Sequence, residues 1–98
     1  MRLITLDAAA WKTYDDFYGA LLKAVGAPEW HGRNINALID SMVWGGINAV
    51  EPPYTVRILN ADAVPPAVRE EIELAANAIQ EEQRGDLTVR IEIGGRPN

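Results

Sequence analysis

The sequence predicts an α/β fold in which a parallel sheet carries its helices on one face. Three short segments rich in β-branched residues alternate with longer segments whose apolar residues recur at helical spacing. Helical sequence separates each pair of successive strands, and such connections favour parallel strands joined by right-handed crossovers. If the strands lie in sequential order, these crossovers place every helix on the same side of the sheet.

The predicted strands are residues 3–6, 54–59 and 87–93. In the second and third strands apolar and polar side chains alternate with a period of two. Their inward residues are Tyr54, Val56, Ile58, Leu87, Val89, Ile91 and Ile93. Their outward residues are Thr55, Arg57, Thr88, Arg90 and Glu92. This alternation predicts that one face of the sheet is open to water.

Three helices are predicted from apolar residues that recur at i, i+3 and i+4. In the first helix these are Tyr14, Phe17, Tyr18, Leu21, Leu22 and Val25; in the second they are Ile35, Leu38, Ile39, Met42 and Val43; in the third they are Val68, Ile72, Ala75, Ala76 and Ile79. Thr13 is the predicted N-cap of the first helix, which ends at Gly26. The second helix stops at Gly45-Gly46.

The third helix starts at Pro65-Pro66, since proline suits a first turn, and ends before Gly85. Its outer face is strongly acidic, and we expect this face to lie in solvent. The acidic residues are Glu70, Glu71, Glu73, Glu81 and Glu82.

Length and composition limit the classes of protein to consider. The 98 residues contain no cysteine, so we expect a single domain (1–98) held by its core alone, with a flexible tail at 94–98. The net charge of −5 has the wrong sign for nucleic-acid binding. Neither a membrane span nor a signal peptide is found, so we expect a cytoplasmic protein, monomeric when free. We also expect no metal and no cofactor, because the sequence lacks the motifs that would hold them.

Residues 28–40 carry more polar and aromatic chemistry than a fold requires. Trp30 and His31 lie in the loop that enters the second helix. Asn36 and Asp40 are four residues apart, so both project from one helix face, opposite the apolar stripe. A surface that combines aromatic, amide and carboxylate groups is typical of a protein-binding site.

This stretch resembles the signature of the barstar family, small intracellular inhibitors of secreted ribonucleases. In that family it reads approximately Pro-Glu-aromatic-aromatic-Gly-x-Asn-aliphatic-Asp-Ala-Leu-x-Asp, and here it reads PEWHGRNINALID. The likeness covers nearly the whole chain. It implies a two-layer, barstar-like fold with a three-stranded parallel sheet in order 1-2-3 and helices packed on one face. It also implies a ribonuclease inhibitor, or immunity protein, that blocks the active site of a basic ribonuclease or toxin nuclease through residues 28–46.

The resemblance implies a role for each matching residue. Asp40 takes the place of the aspartate that occupies the nuclease's phosphate site, where a carboxylate can accept hydrogen bonds from Arg and His. Trp30 takes the place of an aromatic residue that stacks on a catalytic residue of the nuclease. The other implied contacts are His31, Gly32, Asn34, Asn36, Ile39, Trp44, Gly45 and Gly46.

The chain also departs from the family pattern. Asn36 stands where a second interface aspartate is usual, His31 replaces an aromatic residue, and Ile39 stands where a tryptophan is common. Residues 45–48 lengthen the region after the second helix. No acidic residue of the last helix aligns clearly with the one that joins the family's interface. These differences concern the identity of the target more than the mode of inhibition.

Alternative roles for the same residues remain open. A lone loop histidine such as His31 is more often a packing or hydrogen-bonding residue than a ligand or base. Asn34 can be the N-cap of the second helix as well as a contact. Trp30 and Trp44 can be partly buried core residues, whereas Trp11 is assigned to packing beneath the first helix.

Two functions other than inhibition are compatible with this fold: an enzyme and a protein-interaction module. An enzyme would have to use His31, Asp40 and Ser41, but Asp40 and Ser41 are neighbours on a helix and point about 100° apart. We therefore predict that the protein is not an enzyme. The second alternative is a protein-interaction module of the same fold whose partner is not a ribonuclease.

Overall fold

The computed structural model describes residues 2–83 and 88–94. The strands are β1 (Arg2–Asp7), β2 (Tyr54–Leu59) and β3 (Val89–Ile93), and the helices are α1 (Tyr14–Ala24), α2 (Ile35–Leu38) and α3 (Pro66–Glu82). Two short turns complete the list: a π-helical turn at Ile39–Val43, directly after α2, and a 3₁₀ turn at Ala61–Ala63. The predicted order of strands and helices is therefore confirmed.

The strands form a parallel sheet in the order β1-β2-β3, as predicted. Their register aligns inward side chains in rows across the sheet, Ile4–Val56–Ile91 and Leu6–Ile58–Ile93. On the opposite face Arg57 donates to Glu92 across 3.2 Å, and both side chains are about half exposed. The helices thus cover one face of the sheet, and the other carries polar side chains.

The core lies between the sheet and the helices. Its largest buried side chains include Phe17 and Leu21 of α1, Ile72 and Ile79 of α3, and Tyr54 of the central strand. Trp11 is also buried, with its ring centroid 5.8 Å from that of Phe17, which confirms that it packs beside the first helix. At ~25 cal/mol per Å² of apolar surface, side chains of this size supply most of the stabilisation.

The predicted N-cap of α1 is confirmed as a capping box. The Thr13 hydroxyl accepts from the backbone N–H of Asp16, and the Asp16 carboxylate accepts from the backbone N–H of Thr13. A second bond, 2.7 Å from the N–H of Lys12, adds to this arrangement and lowers the pKa of Asp16. The start of α1 is therefore fixed by its own sequence.

Three side chains lie elsewhere than predicted. Thr55 is buried rather than open to water, because it sits on the central strand between two neighbours. Tyr14 is 50% exposed, since it is the first residue of α1 and lies at the end of the apolar stripe. Glu71 is half-buried, and its carboxylate accepts a hydrogen bond from the Tyr18 hydroxyl instead of facing solvent.

Gly94 continues the hydrogen bonding of the sheet beyond Ile93. Gly94, which we expected to begin a flexible tail, donates to the Ile58 carbonyl at 2.8 Å and accepts from the Ala61 N–H at 3.0 Å. It therefore extends the β2–β3 ladder. The predicted helix stop at Gly85, the predicted strand residue Leu87 and the remaining tail residues 95–98 lie outside the described residues.

Candidate partner-binding site

The loop before α2 folds as a close turn against the helix that follows it. The His31 N–H donates to the Pro28 carbonyl at 3.0 Å. A Cβ at Gly32 would lie 3.1 Å from the Asn34 amide nitrogen and 3.2 Å from the Ala37 Cβ, so a side chain there would crowd the turn. Asn34 Oδ1 accepts from the Ala37 N–H at 2.8 Å, which confirms Asn34 as the N-cap of α2.

His31 is buried, with 7% of its surface exposed. Its Nδ1 lies 2.7 Å from the Gly32 carbonyl oxygen, and its Nε2 lies 2.7 Å from the Ser41 hydroxyl. Ser41 is 1% exposed and belongs to the π-turn. The ring therefore connects the loop to the helix, and little of it is accessible.

Arg33 attaches the same loop to α1. Its guanidinium donates to the Asp15 carbonyl at 3.2 Å and lies 3.5 Å from the Asp15 carboxylate. Both side chains are at least half exposed, so this ion pair adds little to stability, on the order of 0–1 kcal/mol. It orients the loop rather than stabilising the protein.

The second helix differs from the predicted α-helix over its last turn. From Ile39 to Val43 it is π-helical, and the Trp44 N–H donates to the Ile39 carbonyl five residues earlier. Such wide turns are rare and occur often at functional sites. Periodicity alone could not predict this one, because the apolar spacing fits an α-helix equally well.

Gly45 and Gly46 end this helix in the left-handed region, with φ of +75° and +83°. The Gly46 N–H donates to the Glu51 carboxylate at 2.9 Å. A Cβ at Gly45 would lie only 2.6 Å from a Glu51 carboxylate oxygen. The glycine pair therefore lets the chain turn sharply after Trp44, where an L side chain would be strained.

One continuous stretch of chain supplies several exposed residues, which we call the docking face: Trp30, Asn36, Asp40, Trp44 and Ile47. Trp30 is 75% exposed and Trp44 is 69% exposed, far more than is usual for tryptophan. Asp40 is exposed and has no hydrogen bond or ion pair with any described residue. A shallow depression joins the loop to the helix, lined by Trp30, His31, Gly32, Ala37, Asp40 and Ile47.

Comparison with known families decides the relationship. The family model described as Barstar (barnase inhibitor) matches residues 1–93. The chain belongs to the barstar family. A search of curated proteins finds no match.

As a barstar-family chain, the protein brings together several of the site residues predicted from sequence. Trp30, Gly32 and Asp40 line one depression, with the carboxylate and the indole both accessible. Asn34 caps the helix beneath them, and Gly45 and Gly46 shape its exit. Two other predicted site residues are less exposed: His31 is buried, and Ile39 is half-buried against the core.

Four further residues shape this region of the barstar-family chain and were not predicted. Ala37 and Ile47 line the depression, Ser41 binds His31, and Glu51 accepts from Gly46. The sequence does indicate Ile47 as a possible surface residue, because this apolar residue follows a glycine pair and belongs to no predicted helix or strand. The sequence gives no indication of the Ser41 and Glu51 contacts, because neither follows from local spacing.

The acidic side chains of α3 differ in exposure. Glu71 is held by Tyr18, whose pKa is raised well above its usual range by burial and by this carboxylate. Its hydrogen bond joins α1 to α3, so Glu71 has a structural role. The exposed glutamates near the end of α3 are Glu81 and Glu82.

Residues 2–83 and 88–94 contain neither a metal-binding cluster nor a membrane-spanning helix. No group of three or more His, Cys, Asp or Glu side chains is placed to hold a metal ion. No helix in these ranges is long and apolar enough to cross a bilayer.

Proposed function

We propose that the protein is a ribonuclease inhibitor, an immunity protein that blocks the active site of a basic, barnase-like ribonuclease through residues 28–46. The observation that carries this proposal is the exposed Asp40 carboxylate, which has no partner among the described residues and lies beside an exposed tryptophan. Membership of a family described as a barnase inhibitor supports the same reading. We place the protein in the cytoplasm and regard it as monomeric when free, without cofactor and without enzymatic activity.

Asp40 supplies the charge that such an inhibitor needs. A ribonuclease cleft is lined by cationic groups that bind the substrate phosphate, and a carboxylate can accept several charge-assisted hydrogen bonds from Arg and His there. Because the Asp40 carboxylate makes no bond with residues 2–83 or 88–94, no interaction within these ranges has to break before it binds. The overall charge of −5 favours approach to a basic partner.

Trp30 and Trp44 supply the apolar surface that would be buried on binding. Tryptophan is enriched at the centres of protein interfaces, where its large ring is buried on binding. The two rings stand on either side of Asp40 in sequence, and Ile47 adds an apolar wall to the depression between loop and helix. Burial of these rings would exclude water from around the carboxylate and strengthen its hydrogen bonds.

Asn36 favours one alternative, a barstar-like interaction module with a non-ribonuclease partner. Its side chain is an exposed neutral amide where a second aspartate is usual in the family, so the docking face carries one charge fewer. An amide keeps the acceptor oxygen and adds a donor, which would suit a partner with a less basic cleft.

An inhibition titration with barnase tests the proposal. We expect cleavage of RNA by barnase to fall in proportion to added protein and to stop near one equivalent, while the protein alone cleaves no RNA. Full barnase activity in the presence of excess protein would overturn the proposal. Binding to barnase without loss of activity would favour the interaction module instead.

A matched pair of variants tests the assigned surface. Trp30→Ala removes an exposed ring from the docking face and should weaken inhibition by about a hundredfold, within the range for interface tryptophans. Leu74→Ala removes an apolar side chain of α3 that is 49% exposed, and should leave inhibition unchanged. Equal effects of the two variants would contradict the surface assignment.

A further inference from the structure

The chain's only histidine and only serine are hydrogen bonded to each other in the interior. His31 Nε2 lies 2.7 Å from the Ser41 hydroxyl, ten residues later in the sequence, and the two residues are 7% and 1% exposed. This contact connects the loop before α2 to the π-turn after it. Both are buried polar residues, and neither belongs to the hydrophobic core.

The donors and acceptors around the ring are fixed by its neighbours. A carbonyl oxygen only accepts, so the 2.7 Å contact between Nδ1 and the Gly32 carbonyl places a proton on Nδ1. In the neutral ring Nε2 is then an acceptor. The Ser41 hydroxyl also lies 3.4 Å from the Leu38 carbonyl oxygen, and its single proton goes to the closer acceptor, Nε2 at 2.7 Å. Both ring nitrogens are therefore used, and the orientation of the imidazole is determined.

His31 and Ser41 are each adjacent in sequence to a residue of the docking face. Trp30 immediately precedes His31, and Asp40 immediately precedes Ser41. All three of Trp30, His31 and Asp40 line the same depression. A bond between positions 31 and 41 therefore ties together the two backbone segments that carry the exposed indole and the exposed carboxylate.

We infer that His31 and Ser41 are positioning residues, whose buried hydrogen bond holds Trp30 and Asp40 in the arrangement that the partner binds. This inference rests on the proposed function. Without the bond, the loop would have to be ordered during binding, and only the fraction of molecules with the correct loop conformation would bind productively. The Pro28–His31 turn and the Arg33–Asp15 contact hold the two ends of the loop, but neither reaches the π-turn.

The free protein provides a first test. Because there is one histidine, the ¹⁵N spectrum of its imidazole reports a single ring, and we expect the Nδ1–H tautomer in the wild type. Ser41→Ala removes the donor to Nε2 and should change the Nε2 chemical shift and increase the mobility of the Trp30 and Gly32 amides. A wild-type Nε2 chemical shift that does not change in Ser41→Ala would overturn the inference.

Binding to barnase provides the second test. Ser41→Ala should bind about tenfold more weakly, chiefly through slower association, because fewer molecules have the loop in place. In an Asp40→Ala background the same change should cost less than about threefold, since one of the positioned groups is gone. Ile58→Val, a core change on the central strand, should lower stability without slowing association.

The outcomes separate the two proposals. If the wild type binds barnase and folded Ser41→Ala binds it equally well, the positioning role is wrong and the inhibitor function stands. If the effect of Ser41→Ala is the same with and without Asp40, the role is also wrong. If the wild type does not bind barnase, the proposed function fails, and the tautomer and the loop mobility of the free protein still decide whether His31 and Ser41 hold the loop.

Discussion

The Tyr54 hydroxyl and the Asp40 carboxylate have no hydrogen-bond partner among the described residues. Because one is buried and the other exposed, their effects on stability differ. The Asp40 carboxylate is exposed, so water solvates it and its availability costs nothing in folding. The Tyr54 hydroxyl is fully buried and unpaired, which costs about 1–3 kcal/mol of desolvation. Burial and the nearby Glu51 carboxylate raise the pKa of Tyr54 well above its usual range. The Asp40 carboxylate is thus available to a partner, whereas the buried Tyr54 hydroxyl lowers the stability of the fold.

Tyr54→Phe should therefore be at least as stable as the wild type near pH 7 and less sensitive to alkali. Because the folded-state pKa of Tyr54 is raised, the unfolded chain loses its proton first, and the wild-type unfolding free energy falls as pH rises above about 10. Urea unfolding near neutrality and at about pH 11 measures both effects. A phenylalanine variant less stable at neutrality by more than about 1 kcal/mol, or equally alkali-sensitive, would contradict this account.

At the scale of elements, α2 and the π-turn together form the part of the fold most closely tied to the site. The four-residue α2 is too short to be stable alone and depends on its cap, its core contacts and the turn that continues it. Asn34 begins this unit, and the glycine pair ends it. Three residues of the docking face, Asn36, Asp40 and Trp44, are therefore carried by a unit fixed at both ends.

Asn34→Ala should lower the unfolding free energy by about 1 kcal/mol, because it removes the acceptor for the Ala37 N–H. Asn34→Asp keeps an oxygen in that place and should retain most of the stability. Urea unfolding of the three proteins measures the difference. An alanine variant as stable as the wild type would show that the cap contributes nothing.

Local sequence predicted most of the elements but not the contacts that join them. Strand β2 has the predicted bounds, and Thr13 and Asn34 cap their helices as expected, because alternation and capping are local properties. Chemistry and spacing alone indicate Trp30, His31, Asn36 and Asp40, and the family resemblance supplies the other site residues. The structure adds that Trp30 and Asp40 border one depression. The buried Thr55 depends on strands distant in sequence, and the His31–Ser41 bond joins residues ten positions apart. The π-turn has the same apolar spacing as an α-helix, so no local pattern predicts it.

At the scale of the whole molecule, the layered fold divides stability from binding. The core lies between the sheet and the helices, and the docking face lies on a loop and a turn outside it. The negative charge belongs to the molecule as a whole, with fourteen acidic and nine basic residues. Long-range charge of this kind acts mainly on the rate of encounter, whereas the buried contacts determine the rate of dissociation.

Association with barnase should therefore slow as salt is added. Between roughly 0.02 M and 0.5 M ionic strength we expect the association rate constant to fall at least about tenfold, because screening shortens the reach of the charges. The dissociation rate constant should change much less. Stopped-flow fluorescence of the exposed tryptophans measures both. An association rate constant that does not respond to salt would exclude a steered encounter.

The affinity of Asp40→Ala for barnase, measured together with its stability, tests the central claim most directly. We expect binding to weaken by about 2–5 kcal/mol, a range that draws on the barnase–barstar complex itself and is carried over rather than derived. The unfolding free energy should change by less than about 0.5 kcal/mol, because the carboxylate has no partner in the described residues. Glu70→Ala, which removes the same charge from an exposed position on α3, is the control and should bind nearly as well as the wild type. An Asp40→Ala variant that binds like Glu70→Ala, or that fails to fold, would contradict the account.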